Sequence, residues 1–589
     1  MIARAIGAAA AGIAAMRAAG AALRAVAAGF GAALLAACSG APPAPPADLV
    51  LAGGRVFTVE AERPWAEAVA VRGDRIVKVG TEAEVRALKG PNTREYDVAG
   101  GVILPGINDS HTHFLDGALG LGQVDLTGAT TLAEIQERVR RYAADHPDEP
   151  WILGNGWLYS TFPGRFPRRG DLDAAEAGRP VFLYSYDGHS AWCNSAALKA
   201  AGITAGTPQL PKSRGEIVKD PKTGEPTGTL KEGATALIDK VVPKPSHDRK
   251  KAALEEGMRL ANSLGVTSIQ NCGGGQDELD LYAELQREGR LTVRTSTAFS
   301  MPDTPEELTD ALVAKIEAAR LAHQDHFVRA GTVKFFADGV IESNTAAMLA
   351  PYTNDPSTRG VAHYDPRALE AMVDRMDAAG FQIYIHAIGD AGVRMSLDAL
   401  EKAMRARPGQ NRRHRLEHIE TIDAADVPRF GALGIIAGMQ PYHAYPEPNL
   451  LSVWAANIGP ERVQRAFAWN GIASAGGRLA FGSDWPVVTI DPLIGIHNAV
   501  LRQDTEGHPE GGWVPAQRVT LEQAIAAYTL SGAYGSFEED VKGSVKEGKL
   551  ADLAVVSPDI FKAPPGEIHK ARVTLTIFNG REVYRTPAP

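Results

Sequence analysis

The sequence predicts an eight-stranded parallel (β/α)8 barrel, a β-sandwich domain assembled from both chain termini, and a subdomain inserted after the first barrel strand. Three patterns carry that expectation. Apolar strand-like runs alternate with helical stretches through the middle of the chain, as parallel β/α units require. Eight such runs occur, the number that closes a barrel: Gly101–Leu104, Val266–Gln270, Leu291–Ala298, Thr332–Phe336, Phe381–Ile385, Arg415–Glu417, Gly434–Met439 and Arg478–Phe481. Short strand-and-turn patterns then flank this middle on both sides.

The N-terminal flank reads Leu49-Val50-Leu51, Arg55–Val59, Ala68–Val71 and Arg75–Val79, with turns at Gly53-Gly54 and Gly73-Asp74. The C-terminal flank echoes it with Ala551–Val556, Val573–Phe578 and a turn at Asn579-Gly580. Hairpins are expected at such turns, and one sandwich of residues 48–104 plus 537–589 accounts for both flanks. The barrel of 105–536 is about 430 residues long, against about 250 for a plain barrel. Most of the excess lies between the first two strands, which predicts an insert over about 122–250.

Composition narrows the class. With 44% hydrophobic and 22% charged residues over 589 positions, the chain can bury a large core. A net charge of −9 supplies no basic face for nucleic acid. Three cysteines, Cys38, Cys193 and Cys272, exclude a disulfide framework and a C-x-x-C zinc site. Residues 1–47 stand apart: Arg4, Arg17 and Arg24 precede any acid, and Ala25 to Ala37 is uniformly apolar or small. That run is too short to span a bilayer and reads as a secretory signal. Leu35-Ala36-Ala37-Cys38 resembles a bacterial lipoprotein box, which makes Cys38 the lipidated residue and Pro42 to Pro46 a stiff tether. An exported protein, periplasmic or membrane-anchored through Cys38 alone, is expected. An ordinary cleaved signal, or a true start at Met16, fits the same residues.

The chemistry concentrates at strand ends. His111-Thr112-His113 places two imidazoles two residues apart, on one side of an extended segment. With 15 histidines in the chain, such a pair arises readily by chance. The further series carries more weight: Lys334, His386, His418 and Asp484 each fall within or just past a predicted strand. In a parallel barrel those ends converge on one mouth, so four His, a Lys and an Asp form a candidate metal centre. Zinc suits such ligands, with other transition metals open. An ammonium cannot ligate a cation, so Lys334 either salt-bridges Asp338 or is chemically altered.

The motifs Gly106-Ile107-Asn108-Asp109-Ser110-His111-Thr112-His113, Asp187-Gly188-His189-Ser190-Ala191-Trp192, His386-Ala387-Ile388-Gly389-Asp390 and Gly482-Ser483-Asp484-Trp485-Pro486 resemble the amidohydrolase superfamily. Within it they resemble the branch of N-substituted formamide deformylases. The resemblance implies a distorted TIM-like barrel and a two-metal site. His111, His113 and Asp484 would hold the more buried ion, and His386 and His418 the more exposed one. Lys334, carboxylated by carbon dioxide, would bridge the two. It further implies a hydrolase of non-peptide amide or N-formyl C–N bonds, working by attack of a metal-bridging hydroxide with Asp484 moving the proton.

Asp338 and Asp390 are candidates to orient the ligating histidines. His189, Trp192, Trp157 and Trp485 are candidates to face a small-molecule amide substrate. His323, His326 and His414 are expected at the surface, and Cys272 as a structural thiol. A single-metal ring-amidine deaminase and a non-catalytic binding lipoprotein are the competing readings. Nothing in the sequence fixes oligomeric state, and a homo-oligomer is compatible with it.

Overall fold

A computed structural model describes residues 45–211 and 214–586. Eight parallel strands form one sheet, numbered here in chain order: β1 Ile107–Thr112, β2 Val266–Gly274, β3 Arg294–Ser300, β4 Val328–Phe336, β5 Gln382–Ala387, β6 Arg415–His418, β7 Ile436–Met439 and β8 Arg478–Phe481. Each pairs with its sequence neighbour from β1 to β8. The sheet closes at its C-terminal rim, where Asp484 N–H donates to the His111 carbonyl at 2.7 Å and His113 N–H to the Trp485 carbonyl at 2.8 Å. Gly482 permits this closure, because a Cβ there would meet the His111 nitrogen at 2.4 Å.

The first strand differs from expectation. Val102–Pro105, the most apolar run near it, pairs with Leu553–Val556 and Arg55–Val56 in a terminal sheet. The barrel strand is the polar Ile107–Thr112, and it is buried throughout. Hydrophobic periodicity misses such a strand because its side chains are satisfied internally: Gln270 donates to Asn108, and Ser483 N–H donates to Asp109 at 2.8 Å. Burying polar groups is tolerable where partners replace water.

Helices cover the barrel by burying one face. In Asp390–Ala406 the buried Val393, Leu397 and Leu400 recur at helical spacing. Both termini build a sandwich of a four-stranded and a six-stranded sheet. Leu49, Val69 and Ile76 of one sheet share a core with Ile103, Leu553 and Ile577 of the other. Between β1 and β2 the chain forms a six-stranded mixed sheet from Val124–Asp125 to Pro226–Lys231, with its own core around Trp157 and Trp192. The fold is therefore a (β/α)8 barrel with a terminal β-sandwich and an inserted sheet. Cys38 and the segment before it lie outside the described residues. Among the described residues, no helix is long and apolar enough to cross a membrane.

Candidate metal centre

Barrel geometry brings His111, His113, Lys334, His386, His418 and Asp484 together at one mouth. His111, His418 and Asp484 form the tightest group, with one ligand atom from each within 4.8 Å of the others. His111 Nε2 and His113 Nε2 each lie 3.4 Å from Asp484 Oδ1. Lys334 Nζ is 3.3 Å from His111 Nε2. The His386 ring centre lies 4.6 Å from that of His418. Two of these residues are held in strained backbone: His418 has φ 72° and Asp484 φ 64°, in the left-handed region that non-glycine residues avoid.

Buried partners orient the imidazoles. His111 Nδ1 donates to Glu417 at 2.6 Å, which leaves Nε2 free to face Lys334 and Asp484. Glu417 is itself held by Arg415 at 2.7 Å. His418 Nδ1 donates to Gln440 Oε1 at 2.9 Å, and His386 Nε2 to the Gly339 carbonyl at 3.3 Å. Asp484 Oδ1 is buried and lacks a hydrogen-bond partner.

The electrostatics suit a cation. Burial, followed by the Lys334 charge, lowers the His111 pKa to about 4. Burial likewise drives His386 and His418 well below the ordinary histidine value. All three present neutral lone pairs at pH 7, the state metal ligation needs. Burial opposes ionisation of Asp484, but the nearby His111, His113 and His418 imidazoles hold its carboxyl well below the usual range. Lys334 is wholly buried, and among the described residues no carboxylate forms an ion pair with it, Asp338 included. Its ammonium instead lies 4.9 Å from the Phe336 ring centre.

The remaining expected residues divide. His189 lines the cavity, its ring 5.3 Å from that of His386 and its Nδ1 2.8 Å from Glu232. Asp338 Oδ1 lies 3.8 Å from His386 Nε2, although its bonds go to backbone N–H groups of Ala347, Ile388 and Gly389. Asp390 accepts from Leu349 N–H in the first turn of its helix and touches no ligand. Trp157 and Trp192 pack the inserted sheet, their indole N–H groups donating to the Leu183 and Arg168 carbonyls. Trp485 packs on Phe114, ring centres 5.3 Å apart, so its backbone rather than its indole serves the mouth. His414 is buried against Asp377 rather than exposed, because Ile383 N–H donates to its ring at 3.1 Å. Cys272 is buried, and burial pushes its thiol up to about 12.

Sequence reading missed His443, Glu417 and Gln440. His443 Nε2 lies 3.5 Å from Asp484 Oδ2 and its Nδ1 3.5 Å from Glu420, while its ring parallels that of His418 within 7°. The signal was available, since Gln440 and His443 follow the C-terminal end of β7. A wider cleft of about 640 Å³, walled by the inserted sheet at Tyr184 to His189, adjoins the centre and shares His113 and His189 with it.

The model of the amidohydrolase family matches residues 94–584. Protein LONG AFTER FAR-RED 3 of Arabidopsis thaliana is 32% identical over 91% of this chain and 92% of its own length. The N-substituted formamide deformylase of Arthrobacter pascens is 28% identical over 90% of this chain and 97% of its own. A metal-dependent hydrolase of Pyrococcus furiosus superposes with TM-score 0.65 at 26% identity, covering 87% of this chain and 100% of that one. The chain belongs to the amidohydrolase family and is a metal-dependent hydrolase acting on C–N bonds.

Proposed function

We propose that the enzyme hydrolyses a non-peptide amide or N-formyl C–N bond of a small molecule. The supporting observation is the convergence of five strand ends on a buried site whose Asp484 Oδ1 has no partner. An unpaired buried carboxylate oxygen is costly unless a cation or proton meets it. His111, His113 and Asp484 would hold one divalent ion and His386 and His418 a second, with zinc matching the ligand types. Bound there, such ions polarise a carbonyl and make water acidic enough to ionise near neutrality.

The chain's own groups supply the rest. Lys334, buried and without a carboxylate ion-pair partner among the described residues, could add through its amine Nζ to carbon dioxide. An N–C bond would form and a proton leave, and the resulting carbamate would supply two anionic oxygens for metal ligation. Asp484 is placed to accept a proton from the attacking water and to return it to the departing amine. His443, its Nε2 buried without a hydrogen-bond partner, is placed to donate to the substrate oxygen as negative charge develops. Although burial opposes it, Glu420 and then Asp484 raise the His443 pKa, which favours that donor role.

The likeness to the Arthrobacter deformylase supports N-formyl amines as the first substrates to try. Metal analysis of the purified enzyme should give two ions per chain with turnover of an N-formyl amine. Lys334→Ala should retain one ion at most and lose activity, with short carboxylic acids restoring part of it. Full activity at one ion per chain would overturn the two-metal reading. The lipoprotein box supports an exported, lipid-anchored enzyme, and Cys38→Ser should then move it from membrane to soluble fractions.

A further inference from the structure

We propose that the cavity beside the metal centre selects substrates carrying a cationic nitrogen, a protonated amine or amidine, held by Asp187, Glu342 and Glu420. This rests on the amide-hydrolase reading and names the substrate class for the same site. All three carboxylates are buried and line the cavity that contains Lys334, His386, His418 and Asp484. Among the described residues that line it, none is an arginine and Lys334 is the only lysine. Of the neighbouring imidazoles, His189 has its Nδ1 committed to Glu232 at 2.8 Å, and His443 lies 3.5 Å from Glu420 alone among the three carboxylates.

The oxygens are aimed and incompletely used. Asp187 Oδ1 accepts from Tyr159, from Ser185 and from His189 N–H, whereas Oδ2 is buried without a partner. Glu342 Oε1 accepts from the Tyr186 hydroxyl, and Glu420 Oε2 accepts from the Trp454 indole at 2.6 Å. These aromatic donors are uncharged and fix the carboxylate oxygens without adding a positive charge beside them. Burial, and then the charges of Glu420 and Asp187, push the Glu342 carboxyl well above its ordinary range, so that a cation arriving beside it would favour its ionised form.

The three do not make another metal site. Among the described residues, the one group of three His, Cys, Asp or Glu ligand atoms within 4.8 Å of each other is His111, His418 and Asp484. Carboxylates set wider apart than an ion's coordination shell match an organic cation whose N–H bonds diverge. The His443 ring lies between Glu420 and Asp484, its Nδ1 3.5 Å from Glu420 Oε1 and its Nε2 3.5 Å from Asp484 Oδ2. The cationic nitrogen therefore lies a few bonds from the scissile C–N bond.

Metal-loaded enzyme would be offered N-formyl-1,3-diaminopropane and N-formylbutylamine, which differ by an ammonium in place of a methyl. We expect kcat/KM at pH 7 at least tenfold higher for the diamine derivative. Glu342→Gln and Asp187→Asn should each bring the ratio of the two towards one. Equal turnover, or preference for the butyl compound, overturns this inference and leaves the hydrolase reading standing. If neither is hydrolysed, the N-formyl reading fails, and calorimetric titration of N-formyl-1,3-diaminopropane against the uncharged N-formylbutylamine still decides the pocket. Binding of the diamine derivative at least tenfold tighter, and lost in Glu342→Gln, supports the cation site; equal binding overturns it.

Discussion

The two ends of the barrel both bury charge, but they handle it in opposite ways. At the N-terminal end, Arg294 donates twice to Asp552, at 2.6 and 3.0 Å, and also to Asn579 and the His326 carbonyl. Lys542 beside it meets Glu538 at 2.8 Å and Ser268 at 3.3 Å. Because Asp552 and Asn579 come from the C-terminal segment, this network fastens the sandwich to the barrel floor. At the mouth, by contrast, Asp484 Oδ1, His443 Nε2 and Asp187 Oδ2 are buried without hydrogen-bond partners. Unpaired buried groups are costly, and a cluster of three at one mouth is what a site awaiting a ligand would show. The satisfied network is structural, and the unsatisfied one is the working site.

The sharpest way to break this contrast is to neutralise one residue at each end. Asp484→Asn should lower hydrolysis of an N-formyl amine by about 10³-fold or more, with thermal stability unchanged or increased. Asp552→Ala should do the reverse. It strands the buried Arg294 guanidinium and should cost about 3–5 kcal/mol in urea unfolding, while kcat/KM of the folded fraction stays within about threefold. A large loss of stability in the first variant, or of kcat/KM in the second, would merge the two roles.

The same contrast explains what the sequence disclosed. His111 stood out by its pairing with His113, whereas His386, His418 and Asp484 were legible because each sits at or just past the end of a recognisable strand, and barrel topology then forces convergence. Lys334 was legible for the same reason, its side chain lying in β4. Hidden from that reading was whatever depends on side chains meeting across strands. Glu417 looked like an ordinary strand acid until β1 brought His111 within 2.6 Å. Tryptophans invited a substrate role by chemistry, yet Trp157 and Trp192 were drawn into the insert's core by their size. The first strand was misplaced by apolar content, since Val102–Pro105 is the greasier segment and Ile107–Thr112 the functional one.

Glu417 provides an intermediate test, because it is fully paired yet acts on the unsatisfied centre. Burial opposes its ionisation, but Arg415 and then His111 hold its carboxyl at about 2. An ionised acceptor fixes the His111 tautomer and increases the electron density at Nε2. Glu417→Gln keeps the size and loses the charge. Its metal Kd should rise about 10–100-fold, measured by competition with a chromophoric chelator. Unchanged affinity would confine Glu417 to the structural class with Asp552.

The smallest effect expected is a pH dependence that belongs to the floor alone. Burial opposes ionisation of Glu538, yet Lys542 and then Arg329 hold its carboxyl at about 2, against 4.5 for an ordinary glutamate. Between those values the unfolded chain binds the extra proton, so stability is complete above pH 4.5 and falls as pH drops towards 2. Taken alone, that difference is worth about 3 kcal/mol. Urea unfolding at pH 5 and pH 3 should therefore show a steeper loss in wild type than in Glu538→Gln, whose floor cannot titrate. Chelating the metal should leave that difference between the two proteins intact, because Glu538 sits at the end of the barrel away from the ligands.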